Sequence, residues 1–425
     1  MPALDVIIVG AGLGGLAAAI GTSLAGHNVT IYEQAHHLAE VGAGIQVPPN
    51  ASRILAKWDL VDEFNKVSVS PHAFRLRGYA TGNLLSEQPL VPMTMDAYGA
   101  PYCNVHRADY HNLLVDKCHA LGVKVMLNSR VVSADFNAPS ITLSTGEVLT
   151  ADLVIGADGL KSNLRSLLLG GPSPPYLTGD LAYRILISAE LMRADPELAE
   201  LASKPIINVW MGPRAHAVCY LLKGGEVYNI VLCCPDNLPA DVNIARADPG
   251  ELASFFSTWD PRLQKLLSLS HDVSKWRLQN SREMQTWVHP AGRFTLLGDA
   301  CHATLPYLAQ GAAMAVEDGA VIGALLAKVE AKEQIPDVLK LYETLRKNRT
   351  EKVVKASTQH RDVFHLEDGE LQQQRDAILL ADSRAPGFPN KWRDEEFRDW
   401  LFGYDAFEQA NQGWEKYKLT YESTR

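Results

Sequence analysis

The strongest chemical pattern in the chain lies late, in a segment that begins with Gly298-Asp299 and ends with Gln310-Gly311. An apolar run at 294–297 precedes it, and a helix-like segment follows it. The Asp299 carboxylate can accept hydrogen bonds from ligand hydroxyl groups, while glycines let the backbone approach a planar ring. This order of strand, turn, apolar loop and helix predicts the binding site of an elongated cofactor.

A glycine-rich turn near the N-terminus adds a dinucleotide-binding pattern. Gly10, Gly12 and Gly15 have the spacing GxGxxG, after a predicted strand and at the start of a predicted helix. That spacing suits a tight turn, close approach of backbone N–H groups to a pyrophosphate, and close packing of helix on strand. Glu33, at the end of the next predicted strand, is placed to hold the hydroxyl groups of an adenosine ribose.

Asp158 belongs to another turn, at the end of the apolar run 152–156. Taken alone, this carboxylate could simply form the turn. In order with the GxGxxG turn and with Gly298-Asp299, it completes a three-part signature. The signature favours a flavin, FAD, over a nicotinamide as the bound cofactor.

A histidine and a tyrosine four residues apart are the candidates for acid–base chemistry. His216 and Tyr220 lie in a β-type run, where residues i and i+4 share a face, so both can point into one cavity. A histidine that titrates near neutral pH suits proton removal, although two ordinary half-buried strand residues would show the same spacing. His302 is expected to cap or pack within its loop, and Glu317-Asp318 to be a structural feature of a helix. No cluster has the spacing of a metal site.

These residues require a nucleotide-binding fold that a second sheet interrupts. Predicted strands at 5–9 and 29–33 flank a predicted helix, which makes one βαβ unit, and short β-type runs between 182 and 287 indicate an inserted sheet. The predicted fold is α/β, with a Rossmann-like FAD-binding domain, an inserted mixed β-sheet substrate domain and a helical C-terminal region. The FAD-binding domain takes residues 1–75, 105–180 and 291–361, the last with helices; the substrate domain takes 76–104 and 181–290; a tail of irregular structure and short helices takes 362–425.

Composition narrows the class of protein. The 425 residues are 47% hydrophobic and 21% charged, as in ordinary globular proteins with sizeable cores. A net charge of −9 without a dense Lys/Arg stripe argues against nucleic acid and against stable membrane association. The apolar stretch 6–25 is broken by glycines and lacks a basic flank, so it is neither a signal peptide nor a membrane helix. Six cysteines without CxxC spacing predict reduced, mostly buried thiols and a cytoplasmic location.

The three turns, GAGLGG with Glu33, GADG at 156–159 and GDACH at 298–302, resemble the fingerprints of class A flavoprotein aromatic hydroxylases. The sequence is more similar to the salicylate hydroxylase-like branch, which includes fungal enzymes for phenolic natural products, and the similarity reaches about residue 361. It implies a fold like that of p-hydroxybenzoate hydroxylase (PHBH-like). It also implies further cofactor contacts: Gly44 beside the isoalloxazine, Arg107 towards the FAD, Val131 near the adenine, Pro306 against the flavin face, and Gly311 and Ala312 at the flavin pyrimidine.

The same resemblance implies the catalytic groups and the reaction. Relatives commonly have an arginine at the position of Arg184, whose guanidinium suits a phenolate or carboxylate, although it could instead bridge two domains. Several relatives use a pair like His216 and Tyr220 to bind and deprotonate a substrate hydroxyl. The expected reaction is hydroxylation of a phenol or hydroxybenzoate through a flavin C4a-hydroperoxide, with decarboxylation or dearomatisation as further outcomes.

The expected co-substrates are NADH or NADPH, O₂ and a small aromatic molecule, and the expected assembly is a monomer or homodimer. Two alternatives remain at this point. One is a flavin monooxygenase that acts on a non-phenolic substrate such as an indole alkaloid. The other is a non-catalytic FAD-binding protein.

Overall fold

The computed structural model describes residues 3–38, 43–382 and 386–423. The strands of these residues are β1 (Asp5–Val9), β2 (Asn28–Tyr32), β3 (Gly44–Val47), β4 (Ser68–Val69), β5 (Ala73–Gly78), β6 (Leu84–Pro89), β7 (Cys103–His106), β8 (Lys124–Met126), β9 (Val131–Asp135), β10 (Ser140–Leu143), β11 (Val148–Thr150), β12 (Leu153–Gly156), β13 (Tyr176–Ser188), β14 (Ile206–Gly212), β15 (Ala215–Leu222), β16 (Val227–Pro235), β17 (Ile244–Arg246), β18 (Ser274–Asn280) and β19 (Phe294–Leu296).

The helices are α1 (Leu13–Leu24), α2 (Pro49–Lys57), α3 (Val61–Val67), α4 (Met93–Tyr98), α5 (Arg107–Ala120), α6 (Asn163–Leu168), α7 (Ala189–Arg193), α8 (Ala199–Ser203), α9 (Pro249–Phe255), α10 (Pro261–Ser268), α11 (Asp299–His302), α12 (Gly311–Leu326), α13 (Ile335–Phe364), α14 (Glu370–Leu380), α15 (Glu395–Phe402) and α16 (Ala406–Ser423). Short 3₁₀ turns lie at Lys223–Gly225, Pro306–Leu308 and Lys332–Gln334.

A parallel five-stranded sheet forms the nucleotide-binding half, in the order β19-β12-β1-β2-β8. The strands β1 and β12 are almost wholly buried, which explains why both are nearly continuous apolar runs in the sequence. The helix α1 connects β1 to β2, and the chain forms two further three-stranded sheets, β11-β10-β9 and β3-β7-β4. The Rossmann-like prediction is confirmed.

Close packing of α1 against α12 sets the position of the site. A Cβ added to Gly319 in α12 would lie 2.5 Å from the carbonyl carbon of Ala17 in α1, so only glycine allows this approach. The N-terminal ends of the two helices, at Gly12 and Gly311, consequently line one cavity. Helix N-termini carry unpaired N–H groups and partial positive charge, which suits an anionic ligand.

A mixed eight-stranded sheet forms the second half, in the order β17-β18-β13-β16-β15-β14-β5-β6. The pair β14–β5 is parallel, whereas the other neighbours are antiparallel. Since β5 and β6 come from the first hundred residues, two separate stretches of chain build this sheet. The predicted α/β fold with an inserted mixed sheet is confirmed.

The C-terminal tail is more regular than expected. Instead of irregular structure with short helices only, it contains the 18-residue helix α16. Ala406, Ala410 and Trp414 of this helix are buried in the same core as α1 and α12. Their spacing of four residues gives one helical stripe, so α16 is held by packing of that stripe.

Two expectations from composition concern thiols and membranes. All six cysteines are buried and free of disulfide bonds. Among the helices of the described residues, none is both long enough and apolar enough to cross a membrane.

Candidate active site

Two clefts meet at the carboxyl ends of the parallel strands, where ligands of open α/β sheets bind. The nucleotide cleft, of about 720 Å³, lies beside the glycine-rich turn and α6. The inner cavity, of about 390 Å³, lies between the N-termini of α1 and α12 and the face of the eight-stranded sheet. Gly12, Ala157 and Gly159 line both. The two spaces therefore form one elongated groove that reaches from the parallel sheet to the mixed sheet.

The structure brings nearly all sequence-predicted site residues to this groove. The nucleotide cleft is lined by Gly10, Gly12, Glu33, Val131 and Asp158. The inner cavity is lined by Gly12, Gly44, Arg107, Arg184, His216, Tyr220, Asp299, Pro306, Gly311 and Ala312. Gly15 lines neither space. A Cβ on Gly15 would lie 2.0 Å from the carbonyl oxygen of Gly10, so this glycine permits close packing of α1 on β1.

The glycine-rich turn leaves room for a ligand at one position. Gly10 has φ +106°, and an added Cβ would lie 2.4 Å from the carbonyl oxygen of Ala157, so the turn itself requires glycine there. A Cβ on Gly12, in contrast, would meet no protein atom within 4 Å. The open space next to the backbone of Gly12 fits the pyrophosphate of FAD, because a phosphate can approach the helix N-terminus there.

Glu33 ties the end of β2 to the glycine-rich turn. Its carboxylate accepts hydrogen bonds from the backbone N–H groups of Ala11 and Ala35, both at 2.8 Å. Charge-assisted bonds of this kind are among the stronger hydrogen bonds in proteins. The carboxylate is thereby held at the wall of the nucleotide cleft, where a ribose diol could reach it.

Asp158 shapes the opposite wall of the nucleotide cleft. It accepts hydrogen bonds from Ser162 Oγ at 2.6 Å and from the Leu164 backbone N–H at 3.0 Å, while burial raises its pKa. It is thus a turn former as well as a cleft residue. Arg130 and Lys161 also line the cleft and supply cations for a pyrophosphate. The sequence analysis missed both, because neither belongs to a spaced motif.

One face of the mixed sheet forms the floor of the inner cavity. Side chains on neighbouring strands lie opposite one another in rows across β13, β16 and β15. The rows are Ala182, Cys233 and His216; Arg184, Val231 and Val218; and Leu186, Asn229 and Tyr220. At the last row β3 covers the sheet, since the Gly44 N–H donates to Asn229 Oδ1 at 2.8 Å. The floor thus carries its polar groups at the edges and small apolar groups in the middle.

Arg184 supplies positive charge at one edge of this floor. Its guanidinium carbon lies 5.1 Å from the centroid of the Trp276 ring, and the stacking fixes the plane of the group. Within the described lining of the inner cavity, Arg184 and Arg107 are the only Lys or Arg residues, and Asp299 is the only acid. The described lining of the inner cavity therefore contains more basic than acidic side chains.

Tyr220 lies at the other edge, next to the backbone of Gly44. A Cβ added to Gly44 would come within 2.8 Å of the Tyr220 hydroxyl, so glycine makes room for the phenol. Burial raises the pKa of Tyr220, and the charge of Arg184 and a hydrogen bond with Gln46 oppose that effect without cancelling it. The hydroxyl stays protonated at neutral pH, so it can donate a hydrogen bond to a ligand.

His216 faces the same cavity but is neutral. Its Nδ1 lies 2.8 Å from Nε2 of His365, and the side chain is 2% exposed. Burial first, and then the nearby His365 and His360, lower the pKa of His216 well below its ordinary value. The expectation of titration near neutral pH is therefore wrong for this histidine. With Nδ1 engaged, Nε2 is the nitrogen that remains for a ligand.

A buried network of charges holds the start of the predicted cofactor loop. His302 Nε2 donates to Asp318 Oδ2 at 2.5 Å, and the same oxygen accepts from the backbone N–H of Gly298 at 2.9 Å. The other carboxylate oxygen accepts from Arg346 Nε at 2.7 Å. Although burial opposes it, the interactions with His302 and Arg346 lower the pKa of Asp318. His302 thus has the structural place that the sequence predicted.

The same network holds the end of the loop. Glu317 pairs with Arg346 at 2.6 Å and with Arg349 at 2.8 Å. Asn50 donates to Glu317 at 2.7 Å and to the Gln310 side chain at 3.0 Å. A network of two carboxylates and two guanidinium groups therefore contacts both ends of the loop and holds them in place. The sequence analysis missed both arginines, although their positions in the buried stripe of α13 signal buried charges that need partners.

Comparison with known proteins identifies the family. Residues 3–357 match the family model described as "FAD binding domain", which covers most of the chain. The chain belongs to this FAD-binding family of monooxygenases. It is 41% identical to FAD-dependent monooxygenase OpS4 of Beauveria bassiana, over 98% of each chain. It is 33% identical to 6-hydroxynicotinate 3-monooxygenase of Pseudomonas fluorescens, over 95% of each chain.

A solved structure shows the same fold. A salicylate hydroxylase in complex with substrate superposes with a TM-score of 0.80 at 24% identity, covering 97% of this chain and 98% of the other. The resemblance to class A flavoprotein hydroxylases is confirmed, and with it the fold. As a member of the family, the chain is an FAD-dependent monooxygenase, related to hydroxylases of small aromatic molecules.

Proposed function

We propose that the chain is an NAD(P)H-consuming hydroxylase of an electron-rich aromatic acid, such as a hydroxybenzoate, or of an acidic phenol. The observation that carries the proposal is the floor of the inner cavity. One sheet face presents a stacked guanidinium, Arg184, and two neutral proton-carrying groups, His216 and Tyr220, across a small apolar surface. Such a surface fits an aromatic ring with an anionic group and a hydroxyl.

FAD fits the groove that faces this floor. Its adenosine end belongs in the nucleotide cleft, with Glu33 at the ribose and the open space at Gly12 for the pyrophosphate. Its flavin end belongs in the inner cavity, against Pro306 and the N-terminus of α12. The chemistry that FAD supplies when bound is the activation of O₂ after reduction by NADH or NADPH.

The side chains of the cavity orient the substrate and manage its proton. Arg184 binds the acidic group through charge-assisted hydrogen bonds. Tyr220, which stays protonated, donates a hydrogen bond to the ring oxygen. His216 accepts the hydroxyl proton at Nε2, which makes the ring electron-rich at the positions ortho and para to that oxygen.

The names of the relatives support this substrate class. The relative called 6-hydroxynicotinate 3-monooxygenase acts, by its name, on a ring that bears both a carboxylate and a hydroxyl. The relative called 3-amino-4-hydroxybenzoate 2-monooxygenase does the same, and it is 32% identical to this chain. Both molecules match the two polar edges of the inner cavity.

The test uses purified, FAD-loaded protein and a matched panel of aromatics. Each hydroxybenzoate is paired with the phenol that lacks the carboxylate, and simple indoles are included. We expect hydroxybenzoates to stimulate NADH or NADPH consumption most, and the product mass to show one added oxygen, with or without loss of CO₂. Stimulation by indoles alone would contradict the proposal. Equal stimulation by each hydroxybenzoate and its paired phenol would contradict the aromatic acid as substrate and leave the phenol.

A further inference from the structure

Two histidines from different elements meet behind the floor of the inner cavity. His216 stands on β15, and His365 follows the last residue of α13. Their facing nitrogens, Nδ1 of His216 and Nε2 of His365, are 2.8 Å apart, and the rings are 5.1 Å apart between centroids. His216 lines the cavity, whereas His365 does not. The pair therefore connects the cavity to the C-terminal end of α13.

The surroundings keep both imidazoles uncharged. Burial lowers the pKa of His365 to about 4, with Asp180 raising it and Arg361 lowering it, and the pKa of His216 is lower than usual as well. The titratable and charged groups that face the pair are Asp180 and Cys233 from the mixed sheet, Tyr307 from the cofactor loop, Arg361 and His360 from α13, and Arg214 and Glu367 at the outer side. Asp180 is paired with Arg361, with N···O 2.7 Å, and accepts a hydrogen bond from the Tyr307 hydroxyl at 2.7 Å.

The outer nitrogen of His365 points to a missing polar partner. Its Nδ1 is buried and has no hydrogen-bond partner among the described residues, although the residue as a whole is 9% exposed. A buried polar atom of this kind is normally satisfied by ordered water. Because His365 as a whole is partly exposed, water at this nitrogen can exchange with solvent.

We propose that His216 and His365 form a proton relay that carries the substrate hydroxyl proton from the inner cavity to solvent. The relay rests on the proposed function, because it needs a hydroxyl ligand in the cavity. His365 acts through His216 and does not touch the substrate.

The number of protons on each ring is the same before and after the relay, so both rings are neutral at the start and at the end. At the start each ring carries its proton on Nδ1, and His216 Nδ1–H donates to His365 Nε2. The hydroxyl proton moves to His216 Nε2, the His216 Nδ1 proton moves to His365 Nε2, and the His365 Nδ1 proton leaves to water. Each ring has then exchanged one proton and changed tautomer, and the substrate is left as an anion beside Arg184.

A pair solves a problem that one buried base cannot. Burial disfavours imidazolium, so His216 alone would hold the abstracted proton only at a high cost in free energy. Passing the proton on as it arrives avoids a stored charge on either ring. The hydrogen bond at 2.8 Å is short enough for such a transfer.

The experiment measures the rate of ligand ionisation separately from its equilibrium. A nitro-substituted hydroxybenzoate is bound at saturating concentration to the FAD-loaded protein, and the phenolate absorbance is followed after a rapid upward pH jump. His365→Gln keeps a polar side chain but cannot relay a proton. We expect about a hundredfold slower ionisation with an unchanged final absorbance and ligand affinity. The control is His119→Gln, at an exposed histidine of α5, and it should ionise the ligand at the wild-type rate.

The outcomes separate the relay from the proposed function. Equal rates in His365→Gln and wild type would overturn the relay, as would equal slowing in both variants or a slowing that merely follows lost affinity or a lowered melting temperature. A wild-type protein that hydroxylates the aromatic but never ionises it would also overturn the relay and leave the proposed function intact. If no aromatic stimulates NADH or NADPH consumption, the proposed function itself fails.

Discussion

The charges of single residues determine what the inner cavity can bind. Tyr220 and His216 are both neutral at physiological pH, for the same reason of burial, whereas Arg184 brings a positive charge to the sheet face that they share. A carboxylate or phenolate on the substrate would gain from that charge through charge-assisted hydrogen bonds. We therefore expect the cavity to favour an anionic aromatic over its neutral counterpart.

The first prediction concerns Arg184→Met. Removing the guanidinium should raise KM for a hydroxybenzoate by about 10- to 100-fold, because a hydrogen bond to a charged group contributes about 1.5–3 kcal/mol. KM for the phenol without the carboxylate should change by less than about threefold, since that ligand offers no carboxylate to the guanidinium. Steady-state kinetics on the matched pair measure both. Arg246→Met, at an exposed position of β17, is the control and should leave both values unchanged.

Equal increases in KM for the two ligands of the Arg184→Met variant would show that Arg184 acts on cavity shape or on the domain interface instead. Arg184→Lys gives a further distinction. Lysine keeps the charge but loses the planar stacking on Trp276, so it should restore the carboxylate preference only in part.

At the scale of elements, the buried network between α12 and α13 explains how the cofactor loop keeps its shape. Asp318 fixes Gly298 at one end, and Glu317 reaches Gln310 through Asn50 at the other. The four charges of the network balance, and Arg346 bridges both acids. Breaking one partner of such a pair leaves an uncompensated buried charge, which costs about 3–5 kcal/mol.

The second prediction is a double-mutant cycle on this network. Asp318→Asn and Arg346→Met should each lower the melting temperature strongly and weaken FAD binding, because the loop loses its anchor. The double variant restores charge balance, so it should be more stable than the sum of the two single effects predicts. Thermal unfolding and FAD fluorescence titration give the two readouts.

Glu63→Gln, which removes an exposed ion pair with Lys66, is the control and should cost less than about 1 kcal/mol. Strictly additive effects would mean that the two side chains are not coupled.

The third prediction concerns the C-terminal turns of α13 and acid stability. Burial lowers the pKa of His360 to about 3, and neither ring nitrogen has a hydrogen-bond partner among the described residues. An unfolded histidine titrates near 6.5, so the unfolded chain binds one proton more than the folded chain between that pH and about 3. The contribution of His360 to the free energy of unfolding is therefore fully present above pH 6.5. It decreases as the pH falls, and about 2 kcal/mol is lost at pH 5.

The variant that tests this is His360→Leu, which loses no hydrogen bond. Its free energy of unfolding in urea should depend less on pH than that of the wild type, by about 1.4 kcal/mol per pH unit below pH 6. The two proteins should show parallel dependence above pH 7. If the free energies of unfolding of the two proteins changed in parallel across the whole pH range, His360 would titrate in the folded chain as it does in the unfolded chain.

The sequence predicted those parts of the site that depend on local chain geometry. Glycine spacing, a carboxylate after a buried strand and the i, i+4 rule on a strand each act over a few residues, so Gly12, Asp299 and the pair on β15 were found. Arg346 and His365 were not, because their partners lie far away in sequence and meet them only through tertiary packing. The neutral state of His216 was missed for the same reason, since burial by α13 and the cofactor loop determines it. The stripe of helix α16 contains two alanines and one tryptophan, a weak apolar pattern that hid its regularity.

At the scale of the whole molecule, one groove joins two halves that have separate cores. The nucleotide cleft belongs to the parallel sheet and the inner cavity to the interface with the mixed sheet. A ligand that occupies both should stabilise the folded chain by mass action, in proportion to RT ln(1 + [FAD]/Kd). At a concentration a hundred times Kd, that contribution is about 2.7 kcal/mol.

The last prediction separates ligand binding from folding with two glycines of one turn. Gly12→Ala adds a methyl group that meets no protein atom, so the apoprotein should melt at the wild-type temperature. The same methyl group fills the space proposed for the pyrophosphate, so FAD should bind at least tenfold more weakly and raise the melting temperature less. Gly15→Ala places its methyl group 2.0 Å from the Gly10 carbonyl oxygen, so it should destabilise the apoprotein itself. Melting curves with and without added FAD distinguish the two effects.

If Gly12→Ala binds FAD as tightly as the wild type, the pyrophosphate lies elsewhere in the groove. If Gly12→Ala lowers the melting temperature of the apoprotein as Gly15→Ala does, Gly12 is needed for the turn and not for the ligand.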